Sequence, residues 1–168
     1  MPTTYEAIAT VTVGSGGASS IDFTSIPATF TDLVVKVSAR GSGSDNSIVL
    51  KFNSSSSNYS ARYIYGDGSA AASLTSTPNL LTTSINPSTY TANSFGNAEL
   101  YIPNYAGSTN KSSSVDGVQE TNATLAYMAL TANLWSDTAA ITSINLSLGA
   151  GQNFVQYSTA TLYGIKNS

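Results

Sequence analysis

Apolar residues recur at every second position along most of the chain, the spacing of strands with one covered and one solvated face. In 31–40, Leu33, Val35, Val37 and Ala39 fall on one side, and Val34, Lys36, Ser38 and Arg40 on the other. Near the start, Tyr5, Ala7, Ala9, Val11 and Val13 alternate with Glu6, Ile8, Thr10 and Thr12. Gly14-Ser15-Gly16-Gly17 then turns the chain into 20–26, where Ile21 and Phe23 share a side, so the two segments read as an N-terminal hairpin. Further strands are predicted at 48–53, 60–65, 80–85, 98–103, 113–120, 141–148 and 159–165, each bounded by Ser, Asn, Gly or Pro. Short strands with turn residues between them predict an all-β, antiparallel sandwich or barrel, here of roughly eight to ten strands.

The segment from Asn122 to Trp135 fits two patterns. Leu125, Met128, Ala132 and Trp135 stand at three- and four-residue steps behind Asn122, which suits a capped helix. As a strand, Met128, Leu130, Ala132 and Leu134 would line the core, Tyr127, Ala129, Thr131 and Asn133 would face out, and Trp135 would anchor the core. The strand is favoured, because every neighbour is β and a lone helix needs a sheet face of its own to cover. No repeat or boundary interrupts the pattern, so residues 1–168 read as one domain with a short N-terminal extension, 1–4. The Ser-rich piece 53–58 and the stretch 66–77 read as long loops.

Composition narrows the chemistry. The chain has no His and no Cys, only 9% of it is charged, and Ser and Thr fill 49 of its 168 positions. The usual general base near neutral pH and the main ligands for zinc, copper and haem are therefore missing, and no cofactor is expected. A net charge of −3 with no basic patch argues against nucleic acid. No apolar run approaches the length of a membrane span, and the first residues carry no leader pattern, so no membrane partner is expected.

Each remaining constellation has a plain structural explanation. Gly14–Gly17 and Gly41–Asn46 resemble phosphate-cradling loops, but no Lys follows at the required spacing, so they are read as turns. Asp45, Asp67 and Asp116 offer oxygen to a calcium ion without reaching the six to eight ligands it takes. Glycosidic hydrolysis needs two carboxylates at a set separation; among the nine acids, Glu99 beside Tyr101, and Asp116 with Glu120, are the places to look. Five N-x-S/T sequences are expected by chance in a chain so rich in these residues. Ten Tyr against five Phe and one Trp points to half-exposed rings and interfaces, with Tyr59, Tyr63, Tyr65, Tyr101 and Tyr105 as candidate contact residues. No catalytic residue is assigned, and the chain is read as non-enzymatic.

Three blocks, Tyr5–Val13, Ser20–Pro27 with Thr31–Val34, and Ser158–Lys166, resemble a family of tailed-bacteriophage virion structural proteins, as do Asn104–Ser108 before Lys111 and Leu134–Ser136 before Ala140–Ile144. The resemblance implies a jelly-roll β-sandwich on the outer surface of the virion, as a capsid decoration (cement) protein or a tail or fibre component. As a cement protein it would bind the major capsid protein and itself, as a homotrimer. Bridging is expected through Pro2, Thr3 and Thr4 or through an edge strand. As a tail module it would bind a cell-surface glycan through Tyr and Asn of the loops 53–58 and 66–76.

Overall fold

The computed structural model describes residues 4–76, 85–121 and 126–166. Among these, eleven strands form two antiparallel sheets: β1 (Tyr5–Thr12), β2 (Ser20–Phe23), β3 (Asp32–Ala39), β4 (Ile48–Phe52), β5 (Tyr59–Gly66), β6 (Ala71–Ser76), β7 (Gly96–Pro103), β8 (Lys111–Glu120), β9 (Ala126–Trp135), β10 (Ile144–Leu148) and β11 (Thr159–Ile165). The larger sheet runs β1-β11-β3-β7-β8-β9-β5-β6, the smaller β2-β10-β4. Strands β1 to β4 alternate between the sheets, and β9, β10 and β11 alternate again. That winding is a jelly roll, in which β1-β11-β3-β7 stacks on β2-β10-β4 and the larger sheet continues past β7 through β8, β9, β5 and β6.

The core follows the period-two pattern. Leu33, Val35, Val37 and Ala39 of β3 meet Leu100 and Ile102 of β7 and Ala160 and Leu162 of β11, all buried. Facing them are Ile21 and Phe23, Ile48, Leu50 and Phe52, and Ile144, Leu146 and Leu148 of the smaller sheet. Burying each large aliphatic side chain contributes about 1.5–3 kcal/mol, which makes this interface the dominant stabilising contact. In β1 the pairing with β11 slips between Ala7 and Ala9. Such a slip turns later residues to the opposite face, which is why even-numbered Ile8 and odd-numbered Val11 both reach the core.

Several expectations need correcting. The predicted N-terminal hairpin does not form, because β1 pairs with β11 and β2 with β10. Gly14–Gly17 does turn the chain, with Gly17 N–H donating to the Gly14 carbonyl at 3.0 Å, but the turn hands it to the other sheet. Gly17 is required there: its φ is +71°, and a Cβ would lie 2.9 Å from the Phe154 carbonyl. The stretch read as a loop at 66–77 contains β6, which pairs with β5 over its whole length. The strand predicted at 141–148 begins only at Ile144, because Asn53 draws 140–143 aside: its Nδ2–H donates to the Ala140 carbonyl and its Oδ1 accepts from Thr142 N–H, both at 2.8 Å. The strand expected at 80–85 falls, apart from Ile85, outside the described residues, as do Asn122–Leu125, Pro2 and Thr3.

Candidate functional site: the solvent face of the eight-stranded sheet

Side chains on the solvent face of the larger sheet line up in rows across the strands. The central row is Thr10, Thr161, Lys36, Glu99, Asp116, Leu130, Ile64 and Ser73. Its first half is polar: the Thr10 and Thr161 hydroxyls are 3.0 Å apart, and Lys36 Nζ lies 3.0 Å from Glu99 Oε2. That contact raises the Lys36 pKa. Past Asp116 the row turns apolar. The rows on either side carry Val118, Met128, Gly66 and Ala71, and Ser114, Ala132, Arg62 and Thr75. Met128 is 65% exposed, Ile64 58%, Leu130 52% and Val118 37%, and a groove of about 870 Å³ runs among them.

This reverses the sidedness expected for β9. The strand forms and Trp135 is in the core, but Met128, Leu130 and Ala132 face solvent, Leu134 is half-buried, and Thr131 is buried. The other side of β8, β9 and β5 is polar and aromatic. Tyr63 and Tyr65 pack 6.0 Å apart, as do Tyr65 and Tyr127. On the same side the Ser113 hydroxyl, the Gln119 and Asn133 amides and Trp135 Nε1 are buried with no hydrogen-bond partner among the described residues.

The remaining candidate contact residues separate. Tyr105, expected at a surface, is fully buried: its hydroxyl donates to the Pro27 carbonyl and accepts from Phe30 N–H, and burial raises its pKa. Tyr59 belongs to the rim of the core, stacked on Trp135 at 6.2 Å with its hydroxyl 2.8 Å from Phe52 N–H; burial raises its pKa as well. Tyr101 is 37% exposed and donates to Asp32 Oδ2 at 2.9 Å, a bond that holds its proton and raises its pKa. Thr4 is exposed, and its carbonyl accepts from Lys166 N–H at 3.1 Å. Among the described candidates the structure brings together Tyr63 and Tyr65, on the face opposite the apolar one.

The acidic residues are dispersed or engaged locally. Asp67 Oδ1 closes its own turn with Ala70 and Ser69 N–H, which lowers its pKa. Asp45 accepts from Ser47 N–H. Glu99 and Asp116 face one another across β7 and β8, with Glu99 already bound to Lys36. Among the described residues no three His, Cys, Asp or Glu side chains gather as a metal would require.

Two features were not anticipated from the sequence. Arg40 donates to four carbonyls, those of Thr91, Ser94, Ser88 and Tyr90, at 2.8–3.1 Å, and so organises 88–94 without any carboxylate. Lys111 is buried at 1% exposure with its ammonium on the Gly107, Thr109 and Thr138 carbonyls, and desolvation lowers its pKa. A lone Arg or Lys at a strand end gives no sequence signal for either role.

Among the described residues the larger sheet ends at β1 on one side and β6 on the other. β1 is guarded by its register slip and by Glu6, which pairs with Lys166 at 2.9 Å. β6, Ala71-Ala72-Ser73-Leu74-Thr75-Ser76, has no charge, proline or bulge, the devices that normally stop an edge from pairing. Comparison with protein-family models, curated proteins and solved structures finds no match. What fold and site define among the described residues is a jelly-roll sandwich with an apolar half-face beside the uncharged terminal strand β6.

Proposed function

We propose that this chain is a non-enzymatic structural protein of a tailed-bacteriophage virion, a capsid decoration (cement) protein that joins its neighbours on the outer shell by surface contact. The observation that carries the reading is the apolar half-face formed by Ile64, Val118, Met128 and Leu130 next to the uncharged edge β6. Exposed apolar surface rimmed by polar residues marks interaction sites, and an unguarded edge is a template for pairing with another chain. The resemblance of the Tyr5–Val13, Ser20–Pro27 and Ser158–Lys166 blocks to virion proteins supports the same reading. Contacts of this neutral kind are hardly screened by salt, which suits a particle exposed to dilution and changing ionic strength. Many weak contacts held in one array add through effective concentration.

The test is location. Labelling of purified particles, with heads and tails separated, should place the protein on heads, and its removal should lower the temperature at which heads release DNA. Recovery only with tails would replace this reading with the adhesive one. The aromatic cluster Tyr63, Tyr65 and Tyr127 favours that second reading, since sugars stack on such rings; reproducible binding on a glycan array, lost in Tyr65→Ala, would support it.

A further inference from the structure

We infer that the cavity where the end of β8 and the start of β9 meet residues 86–95 binds a neutral sugar carrying an acetamido group. The inference goes beyond the decoration role and holds wherever on a particle the chain sits. The cavity, of about 570 Å³, falls within the range of small-molecule sites. Asn86, Ser94 and Phe95 line it from the loop, Gln119 from β8, and Ala126 and Tyr127 from β9.

Two neutral amides select the ligand. Asn86 is 1% exposed and Gln119 3%, yet Asn86 Oδ1 and both Gln119 amide atoms have no hydrogen-bond partner among the described residues. Buried polar groups in native proteins are nearly always bonded, so unpaired amide atoms gathered at one cavity call for a partner. Asn86 cannot turn its amide to meet the need. Its Nδ2 donates to Ser94 Oγ at 2.7 Å and to the Glu120 carbonyl at 3.3 Å, which holds the side chain beside the end of β8. The reverse orientation would set Oδ1 against that carbonyl, acceptor against acceptor. What Asn86 lacks is therefore a donor, and what Gln119 Nε2 lacks is an acceptor. A secondary amide supplies both from its two sides, its N–H to Asn86 Oδ1 and its C=O to Gln119 Nε2. The acetyl methyl suits the Phe95 and Ala126 walls, and a pyranose ring suits the half-buried Tyr127, whose electron-rich face takes sugar C–H groups. Charge excludes ionic ligands: an anion would meet the Glu120 carboxylate, which also lines the cavity, and a cation would leave Gln119 Nε2 without an acceptor.

The experiment is an NMR titration of the full chain with the β-1,4-linked disaccharide of N-acetylglucosamine, followed at the backbone amides and at the side-chain amide of Gln119. The Gln119 signals should shift with a millimolar or tighter dissociation constant. Cellobiose, which has hydroxyls in place of the acetamido groups, should bind at least about tenfold more weakly, the loss expected when a buried group goes unpaired. Gln119→Met, which keeps the side chain's length and removes its amide, should weaken binding at least about tenfold. Because it also ends the burial of an unpaired amide, it should raise the Tm of the free chain by about 2–6 °C. Tyr127→Leu leaves both amides in place and should weaken binding about threefold or more. Gln119 signals unmoved by the disaccharide, equal affinity for cellobiose, or a folded Gln119→Met chain that binds as well as wild type would each overturn the inference. Tighter binding of N-acetylglycine methylamide would also overturn it, by making the ligand a peptide. The wild-type titration stands even if a variant fails to fold, and particle labelling reads the decoration role separately.

Discussion

Tyr105→Phe offers a quantitative test of how the loop between β7 and β8 is held. The ring is completely buried, and the residue ties three segments together: its hydroxyl donates to the Pro27 carbonyl and accepts from Phe30 N–H at 3.4 Å, while its own carbonyl accepts from Ile141 N–H at 3.0 Å. Phenylalanine keeps the ring, so no cavity opens and only the hydroxyl bonds are lost. A net hydrogen bond is worth about 0.5–1.5 kcal/mol, and a buried group left unpaired costs more, so about 1–2 kcal/mol is expected. In a domain of this length that corresponds to a Tm drop of about 2–8 °C. Tyr105→Ala removes the ring as well and should cost about 3–5 kcal/mol. Tyr157, 69% exposed, is the control, and its Phe variant should change stability by less than about 0.5 kcal/mol. The assay is urea unfolding with matched thermal scans. Equal Tm values for Tyr105→Phe and Tyr157→Phe, with Tyr105→Ala costing no more than about 1 kcal/mol, would place Tyr105 at the surface and refute the clamp.

Three further outcomes follow from the same geometry. Gly164→Ala should destabilise by about 1–3 kcal/mol, since its Cβ would lie 2.3 Å from the Phe30 ring, and Phe30→Leu in the same chain should recover part of that loss in urea unfolding. Arg40→Lys should speed amide hydrogen exchange across 88–94 while leaving β3 protected, because an ammonium cannot hold four carbonyls as a planar fork does. Stability should fall as pH rises past about 10: Tyr59 and Tyr105 by burial, and Tyr101 through Asp32, have raised pKa values in the folded chain, so the unfolded chain loses those protons first. Lys111 works the other way, since its lowered pKa favours folding as pH climbs toward 10.5; a urea midpoint that rises steadily through this range would show that the lysine outweighs the tyrosines.

Which parts of this architecture could be read from the chain follows from what periodicity encodes. Alternation reveals that residues share a face, and β3, β4, β8 and β11 were legible for that reason, as was the all-β sandwich from short strands separated by turn residues. β6 was not, because five of its six residues are Ala, Ser or Thr and its pairing comes from β5. Alternation also says nothing about partners, so two adjacent strands joined by a glycine turn were read as a hairpin when each belongs to a different sheet. Tyr105 misled for a related reason: a phenol suits a half-exposed rim, and only the distant Pro27 carbonyl lets it be buried.

The reversal of β9 carries the most information about function. Eight strands span about 34 Å, whereas the three facing them span about 10 Å, so the smaller sheet covers only part of the larger one. Within the sandwich, β3 obeys the ordinary rule, with aliphatic residues inward and Lys36 and Ser38 outward. Farther along the same sheet the rule inverts. β9 turns Thr131 and Asn133 inward and Met128 and Leu130 to solvent, and β5 turns Tyr63 and Tyr65 inward and Ile64 to solvent. A lone chain gains nothing from that inversion, because the outward side chains forgo burial worth about 1.5–3 kcal/mol each. The proposed contact role accounts for the inversion, because a layer laid against the outer face would bury those side chains. The same residues that defeat a monomer's core pattern would then complete the core of an assembly.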